Sequence, residues 1–595
     1  MKLRATLAAC AALLAFPASA GAHAVLEGSS PTRGAALESS PGAITLRFNE
    51  PVEAGFGSVR VYDREGERLD DGELFRPDGK EEGVGIGVAP DLEDGVYTVT
   101  YRVISADSHP VSGGFTFTVG DPEGAAAVGV AELLEEEDSG TGLDVALAGA
   151  RLAAYLATAA LLGGLAFLLW VWVPALAARG RARGAWDAAA SAFAGRLRRI
   201  LALAVGVGLL ATAAGIVIQG GIATGGGLSE GVRPSVIEAV LRTDFGTAWG
   251  LRLAALVVLG ALLLAPRLGL RYALVRPVEL GATGVAVRDP LPRNPIAVLA
   301  LGLAAGYLAL APGLGGHPGA SDPRVLALAA GFLHVLAFAV WAGGLALLVT
   351  AVPAATRALD DDDKTPLLAT VIWRFSALAL AAVAVLLATG VVQSILQLDA
   401  WADLVETGYG RAILAKAALL AALIGLGAYN RNRLRPQLAR LADSGSPPGG
   451  PGRALARILR VEVALVAGVL VATAVLTALS PAAAQEGPFS ASTTIGEAQL
   501  EVTVDPAAAG TNEIHVYLFD SQSGAQYREV RRLRVKASLP AEDIGPIAQR
   551  VQVSGPGHWV IRRAELGIKG DWELAFDARV SEFEQHSAIV EVPIR

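Results

Sequence analysis

Three kinds of hydrophobic pattern follow one another along the chain. Between residues 23 and 119, apolar and polar positions alternate in short runs at Ala43–Phe48, Gly57–Tyr62, Gly95–Val103 and Gly114–Val119, separated by Gly, Pro and Asp. A period of two predicts strands with one buried face, and strands at this spacing predict a small all-β barrel or sandwich, Ig-like in outline. Eight long apolar stretches come next, near 148–176, 200–219, 248–265, 295–312, 325–352, 375–396, 412–429 and 460–480. Each is long enough to cross a hydrocarbon layer of roughly 30 Å as a helix. Alternation returns over 485–595, with runs at Gln499–Val504, Glu513–Phe519, Glu529–Ala537, Val551–Val553, Trp559–Ala564, Trp572–Val580 and Ala588–Ile594. The expected fold class is therefore multidomain: an all-β domain, an eight-helix transmembrane domain over 148–480, and a C-terminal β-sandwich. Residues 120–147 lie between the first two. Their Glu135–Asp138 run in a Gly- and Ala-rich setting reads as a solvated acidic linker.

The first 22 residues read as a secretory signal peptide. Lys2 and Arg4 precede an apolar run from Ala5 to Phe16, and small residues follow at Ala18–Ala22. Two A-x-A frames allow cleavage after Ala20 or after Ala22, the second leaving His23 as the new amino terminus.

Charge then orients the helices. Arg179, Arg181, Arg183, Arg196, Arg198 and Arg199 follow the first apolar stretch. Arg267, Arg271, Arg276, Arg288 and Arg293 follow the third, and Arg431, Arg433, Arg435, Arg440 and Arg453 the seventh. The loop after the fifth carries only Arg357 and Lys364, beside acidic residues that count little, and the remaining loops are nearly bare. Positively charged loops stay in the cytoplasm, so both β domains are expected outside a bacterial cytoplasmic membrane, with the lipid bilayer as a partner. A net charge of −8 gives nucleic acid no footing, and no phosphate-binding glycine loop marks a nucleotide site.

The membrane part repeats itself. Thr243-Asp-Phe-Gly246 precedes Arg252 as Thr407-Gly-Tyr-Gly410 precedes Lys416. Leu-Leu-Ala-Thr occurs at 209–212 and 386–389, and Gly-Gly-Leu at 163–165 and 343–345. Four spans per copy make the copies parallel. Under this alignment His334 corresponds to Ala154 or Tyr155, which predicts a one-sided membrane site.

Candidate chemistry is confined to nitrogen and oxygen. Cys10 and Met1 are the only sulfur residues, and both fall in the expected leader, so thiolate and thioether sites are excluded. Seven histidines remain. An exposed His23 would offer an amine and an imidazole to one metal, and Asp107 and His109, just past a strand, could add a carboxylate and a second imidazole. Such a donor set suits tetragonal copper(II), with tetrahedral zinc as the competitor. An Asp-x-His pair in a turn can equally be a hydrogen-bonded turn and nothing more.

Particular segments weigh on that choice. His23-Ala-Val-Leu-Glu-Gly-Ser-Ser-Pro31, Leu46-Arg-Phe-Asn-Glu-Pro51 and Ser105-Ala-Asp-Ser-His-Pro-Val-Ser-Gly113 resemble the CopC family of copper-binding proteins. The stretch from His334 to Gly344, Arg374-Phe-Ser376, the Thr407–Lys416 element and Asn430-Arg431 resemble CopD. The whole chain is similar to CopC–CopD fusions, some of which carry a further tail domain like the one holding Gly557-His-Trp559 and Gly570-Asp-Trp572 here. The resemblance implies a cupredoxin-like barrel over 23–119, a Cu(II) site made by His23, Asp107 and His109, and copper uptake through the membrane part. It also favours cleavage at His23. The Met-rich copper(I) loop of some CopC relatives is missing, so only the copper(II) site carries over.

Within the membrane, His334 lies about ten residues into the fifth span, roughly 15 Å deep. An ionisable group there is a functional candidate; the alternative is a histidine bonded to a neighbouring helix. His317, in the outer loop Gly315-Gly-His-Pro-Gly319, could receive metal at the mouth. Arg151, Arg252 and Lys416 read as snorkelling residues near outer helix ends, and Trp341 as a packing residue. His515, His558 and His586 are scattered over the tail, where core or surface roles are the ordinary ones. The expectation is a copper importer that is not an enzyme, with sequestration or sensing as the alternative. A haem redox protein would need two inward histidines, and only His334 is well inside a span.

Overall fold

The computed structural model describes residues 24–120, 141–264, 277–316, 323–476 and 489–594, with short gaps inside them that include 106–109, 280–284 and 288–290. The expected leader and the acidic run lie outside the described residues. The chain divides into two compact units. One is helical, over Thr141–Gln219 and Ile237–Ala482; the other holds both β domains and also takes in residues 220–236.

The N-terminal β domain has eight strands: β1 (Leu26–Ser30), β2 (Ala36–Leu37), β3 (Ala43–Phe48), β4 (Val59–Tyr62), β5 (Asp70–Phe75), β6 (Gly83–Val88), β7 (Gly95–Ile104) and β8 (Pro110–Val119). They form two four-stranded sheets, ordered β1-β3-β6-β5 and β2-β8-β7-β4. Ile44, Leu46 and Phe48 of one sheet pack with Val99, Tyr101 and Phe117 of the other, as the alternation requires. Phe48 meets Tyr101 edge-on at 5.7 Å. Strand β6 escaped the pattern because glycine fills its alternate positions. Side chains on Gly85 and Gly87 would collide with Phe75 and Asp71 of neighbouring β5.

Two short strands, β9 (Pro277–Glu279) and β10 (Val285–Val287), pair as a hairpin between the third and fourth long helices. The C-terminal domain follows with β11 (Phe489–Ile495), β12 (Ala498–Asp505), β13 (Gly510–Asp520), β14 (Arg532–Leu539), β15 (Ile544–Ala548), β16 (Gln552–Gly555), β17 (His558–Leu566), β18 (Gly570–Arg579) and β19 (Gln585–Ile594). A five-stranded sheet, β11-β12-β13-β17-β16, and a four-stranded sheet, β15-β14-β18-β19, share one core. Trp572 is buried in it, and its indole N–H donates to Ile568 O at 2.7 Å. A buried indole N–H usually finds a partner of this kind.

Among the described residues, eight helices are long and apolar enough to cross a membrane. Span 1 is Gly142–Arg179, span 2 Gly184–Thr224, span 3 Asp244–Leu264 and span 4 Pro295–Leu314. Span 5 is Arg324–Thr356, span 6 Asp361–Gln397, span 7 Gly408–Asp443 and span 8 Gly449–Leu476. Spans 2, 6 and 7 continue as helix well past the expected apolar stretches. Their extensions carry exposed Arg198, Arg199, Asp361, Asp362, Arg431 and Arg433, which apolarity alone cannot register.

The repeat is built into the packing. A Cβ on Gly163 would strike the carbonyl oxygen of Ala339, and one on Gly343 would strike that of Ala159. Spans 1 and 5 therefore cross backbone to backbone at equivalent glycines, the small-residue contact that lets membrane helices approach closely. This crossing pairs His334 with Ala154 in the two copies. The Thr-x-x-Gly elements are helix starts: Thr243 Oγ1 accepts from Gly246 N at 3.0 Å and Thr407 Oγ1 from Gly410 N at 2.9 Å. Glycine is needed three residues after the threonine because a Cβ would run into the carbonyl of Val240 in one copy and of Asp403 in the other.

Candidate metal centres

The outer candidates His23, Asp107 and His109 lie outside the described residues, as does His317. The flanks of the first three are described, and they converge. Ala24 and Leu26, just after His23, are buried in the barrel core, and Leu26 pairs with Phe48 at the end of β3. Two residues on, Glu50 accepts a hydrogen bond from Ser105 Oγ at 2.6 Å. Ser105 is buried and opens the segment between β7 and β8, whose ends pair at Ile104 and Pro110. Glu53 bridges to Ile104 from the same side. Glu50 thus ties the start of β1 and the base of the β7–β8 turn to one end of the sandwich.

The membrane candidate is described in full. His334 is half-buried on span 5. Its Nδ1 lies 2.9 Å from Thr389 Oγ1 on span 6. The Thr389 hydroxyl donates its single proton to Val385 O at 2.7 Å. The oxygen can then only accept from His334, so Nδ1 carries the proton and Nε2 keeps its lone pair. A hydrogen bond that fixes the tautomer and points the other nitrogen outward is how ligating histidines are usually held. Gly390 lets span 6 pass within van der Waals reach of the ring, and Lys416 of span 7 is near enough to act on it electrostatically.

The corresponding place in the first copy is filled differently. Arg252 of span 3 is only 3% exposed, and its Nη2 donates to Ala154 O at 2.8 Å and to Thr158 Oγ1 at 3.0 Å. The guanidinium also lies 5.9 Å from the Trp249 ring centroid. Arg252 is therefore not a snorkelling residue. It is anchored across two helices at the position where the second copy presents His334. Arg151 is buried as well. Trp341 is a packing residue, as expected, inside the main helical core.

Sequence reasoning overlooked Thr389 as a partner of His334, although its place in the repeated Leu-Leu-Ala-Thr was a signal. It also overlooked Glu462, a buried carboxylate on span 8 that accepts from Asn430 Nδ2 at 2.7 Å. A single acidic residue in an apolar stretch marks such a site.

In the tail, two of the scattered histidines come together. His515 Nδ1 and His558 Nε2 are 3.1 Å apart, on adjacent strands β13 and β17. Burial, then the Arg33 and Arg562 charges, pulls the His515 pKa down to about 4. Burial, then His515, pulls that of His558 down to about 3. His586 stays apart, its Nε2 3.2 Å from Glu584.

Comparison with known proteins supplies the chemistry's context. Residues 26–120 match the CopC domain model, residues 142–288 the N-terminal domain of copper resistance protein D-like proteins, and residues 369–476 copper resistance protein D. The chain is 26% identical to the copper transport protein CutJ of Bacillus subtilis, over 96% of each chain. It is 34% identical to protein YobA of Escherichia coli over 20% of this chain and 94% of YobA. Among solved structures it is similar to CopC from Methylosinus trichosporium OB3b, with 32% identity, 17% of this chain and 97% of that one covered, and a TM-score of 0.16.

Proposed function

This chain belongs to the CopC–CopD fusion copper proteins, and from that premise we propose that it captures copper(II) outside the cytoplasmic membrane and passes copper inward as cargo. The N-terminal domain takes the ion through His23, Asp107 and His109, whose described flanks meet at one end of the sandwich. The membrane domain carries it past His334, and His317 receives it at the outer mouth. Grouping of residues 220–236 with both β domains in one compact unit supports a common, outer side for all three.

The observation that carries the reading is the Thr389–His334 pair. In a region without water or sulfur, imidazole is the best donor available, since a buried carboxylate bears a desolvation penalty. Thr389 holds that imidazole, and Nε2 meets no hydrogen-bond partner among the described residues. Copper uptake into proteoliposomes tests it. His334→Ala, present at normal membrane levels, should abolish uptake while the outer domain still binds copper(II). His317→Ala should slow entry only. Adding one residue ahead of His23 should weaken copper(II) binding sharply, because the amine moves away. Full uptake by His334→Ala would refute the membrane path, and equal affinity of extended and native termini would refute the outer site.

A further inference from the structure

We propose that His515 and His558 form a second copper site, in the C-terminal domain, that holds copper(I) between two imidazole nitrogens. The proposal rests on reading the chain as a copper protein but not on transport.

Strand β13 turns Ile514, Val516 and Leu518 into the domain core and places Glu513, His515, Tyr517 and Phe519 on the opposite face. Strand β17 sets His558 directly opposite Tyr517, diagonal to His515. The two imidazoles therefore meet on an outward sheet face, with Nδ1 and Nε2 3.1 Å apart. Two nitrogens bound to one metal at about 2.0 Å each lie about 3.3 Å apart at a tetrahedral angle and about 4 Å apart in a line. A small opening of the pair reaches either.

The surroundings favour a metal over a simple hydrogen bond. Glu513 Oε1 lies 3.6 Å from His515 Nε2, behind the ring. No hydrogen bond forms at that distance, but the negative charge favours a proton on the far nitrogen and leaves the near one as a donor. The Tyr517 ring stacks on His558 at 4.3 Å and 8°, fixing the plane of that imidazole. Tyr517 in turn engages Thr116 of β8. The N-terminal domain closes the seam through Arg33, whose Nη1 meets Asp505 Oδ2 at 3.0 Å. This is why two histidines on an outward face are only 9% and 5% exposed. Asp505 neutralises Arg33, one of the two cations acting on His515.

The donor count selects the ion. Among the described residues, no third His, Cys, Asp or Glu joins the pair to make a set of three. Copper(II) and zinc ask for four ligands, whereas copper(I), a soft ion of single charge, is content with two. The site stands between the two β domains, so an ion here touches the seam through which the outer domain contacts the tail.

The test is a copper(I) titration of the detergent-solubilised full chain against bicinchoninate, in a His23→Ala, His109→Ala background. His515→Gln or His558→Gln should remove one equivalent or weaken it at least about 100-fold, and Glu513→Gln should weaken it about 10-fold. His586→Gln should change nothing. Zinc should bind without regard to His515 and His558. An unchanged equivalent in both variants, or an equal loss in His586→Gln, overturns the site. If the Gln variants fail to fold, the unsubstituted pair decides. X-ray absorption of the background protein loaded with one copper(I) should show two imidazole nitrogens in a linear edge, lost on Tyr517→Ala; a shell with oxygen or a single nitrogen overturns the site. Uptake is not read in any arm, so failure here leaves the transport reading standing.

Discussion

The two halves of the membrane domain share a scaffold and differ in what they place at its centre. Both begin their third helix with a threonine cap and a glycine, and both bring their first helix to the same glycine crossing. Both bond the threonine of Leu-Leu-Ala-Thr to the carbonyl four residues back: Thr212 to Gly208 and Thr389 to Val385, each at 2.7 Å. At the matched position one half has Ala154, with a guanidinium fixed on its carbonyl, and the other has His334 with a bare nitrogen. Symmetry here preserves architecture and leaves chemistry free to diverge. One half fixes a guanidinium at this position, and the other presents an imidazole with Lys416 close by.

The comparison can be broken most severely at the crossing. Gly163→Ala and Gly343→Ala should each cost about 3 kcal/mol, because a backbone carbonyl sits where the new carbon must go. The double variant should cost little more than either single one, since the first already parts the helices. Thermal unfolding in detergent measures this, and full additivity would mean that the two glycines are not one contact. Next in size, Arg252→Ala should cost about 2–3 kcal/mol through lost hydrogen bonds from a charged group, and Lys416→Ala clearly less. Equal losses would erase the difference between the halves. Thr389→Val should lower uptake about 10-fold or more by releasing the imidazole, with expression and unfolding unchanged. Thr212→Val, its counterpart, should leave uptake intact; a matching fall would show that both threonines serve packing alone.

A pH-dependent effect concerns the tail histidines. Their folded pKa values, about 4 and about 3, lie below the ordinary 6.5. Between those limits the unfolded chain binds more protons, so stability rises with pH. It is fully present above about pH 6.5 and lost as pH falls toward 4. The melting point of the full chain should therefore drop between pH 7 and pH 5, by roughly 2–4 °C for each kcal/mol lost. His558→Phe should flatten that slope, and an unchanged slope would remove the pair as its source.

The periodicities made most of the architecture readable. Ala43–Phe48 and the eight apolar stretches follow directly from alternation and length. Strand β6 did not, because its glycines yield to side chains on a neighbouring strand, a fact held by Phe75 and Asp71 and not by β6 itself. His334 was readable as an ionisable group in an apolar helix, but its tautomer was not, since that depends on Thr389 on another helix. Arg252 was misread for a related reason. Nearness to a helix end suggests an escape to water, and only packing reveals that Ala154 and Thr158 hold it inside. The pairing of His515 with His558 depends on strand register across 43 residues of chain, which no local pattern encodes.

The glycine crossing has a mechanical consequence. Helices that interlock by ridges and grooves can turn against one another only by lifting one set of side chains over the other. At Gly163 and Gly343 neither helix has a ridge, so rotation about the contact meets no such obstacle. Sliding along either axis does, because Ala159 and Ala339 flank the crossing and their carbonyls already fill the space beside it. The crossing thus resists shear, and what limits rotation there is the side-chain core shared by both halves rather than the contact itself.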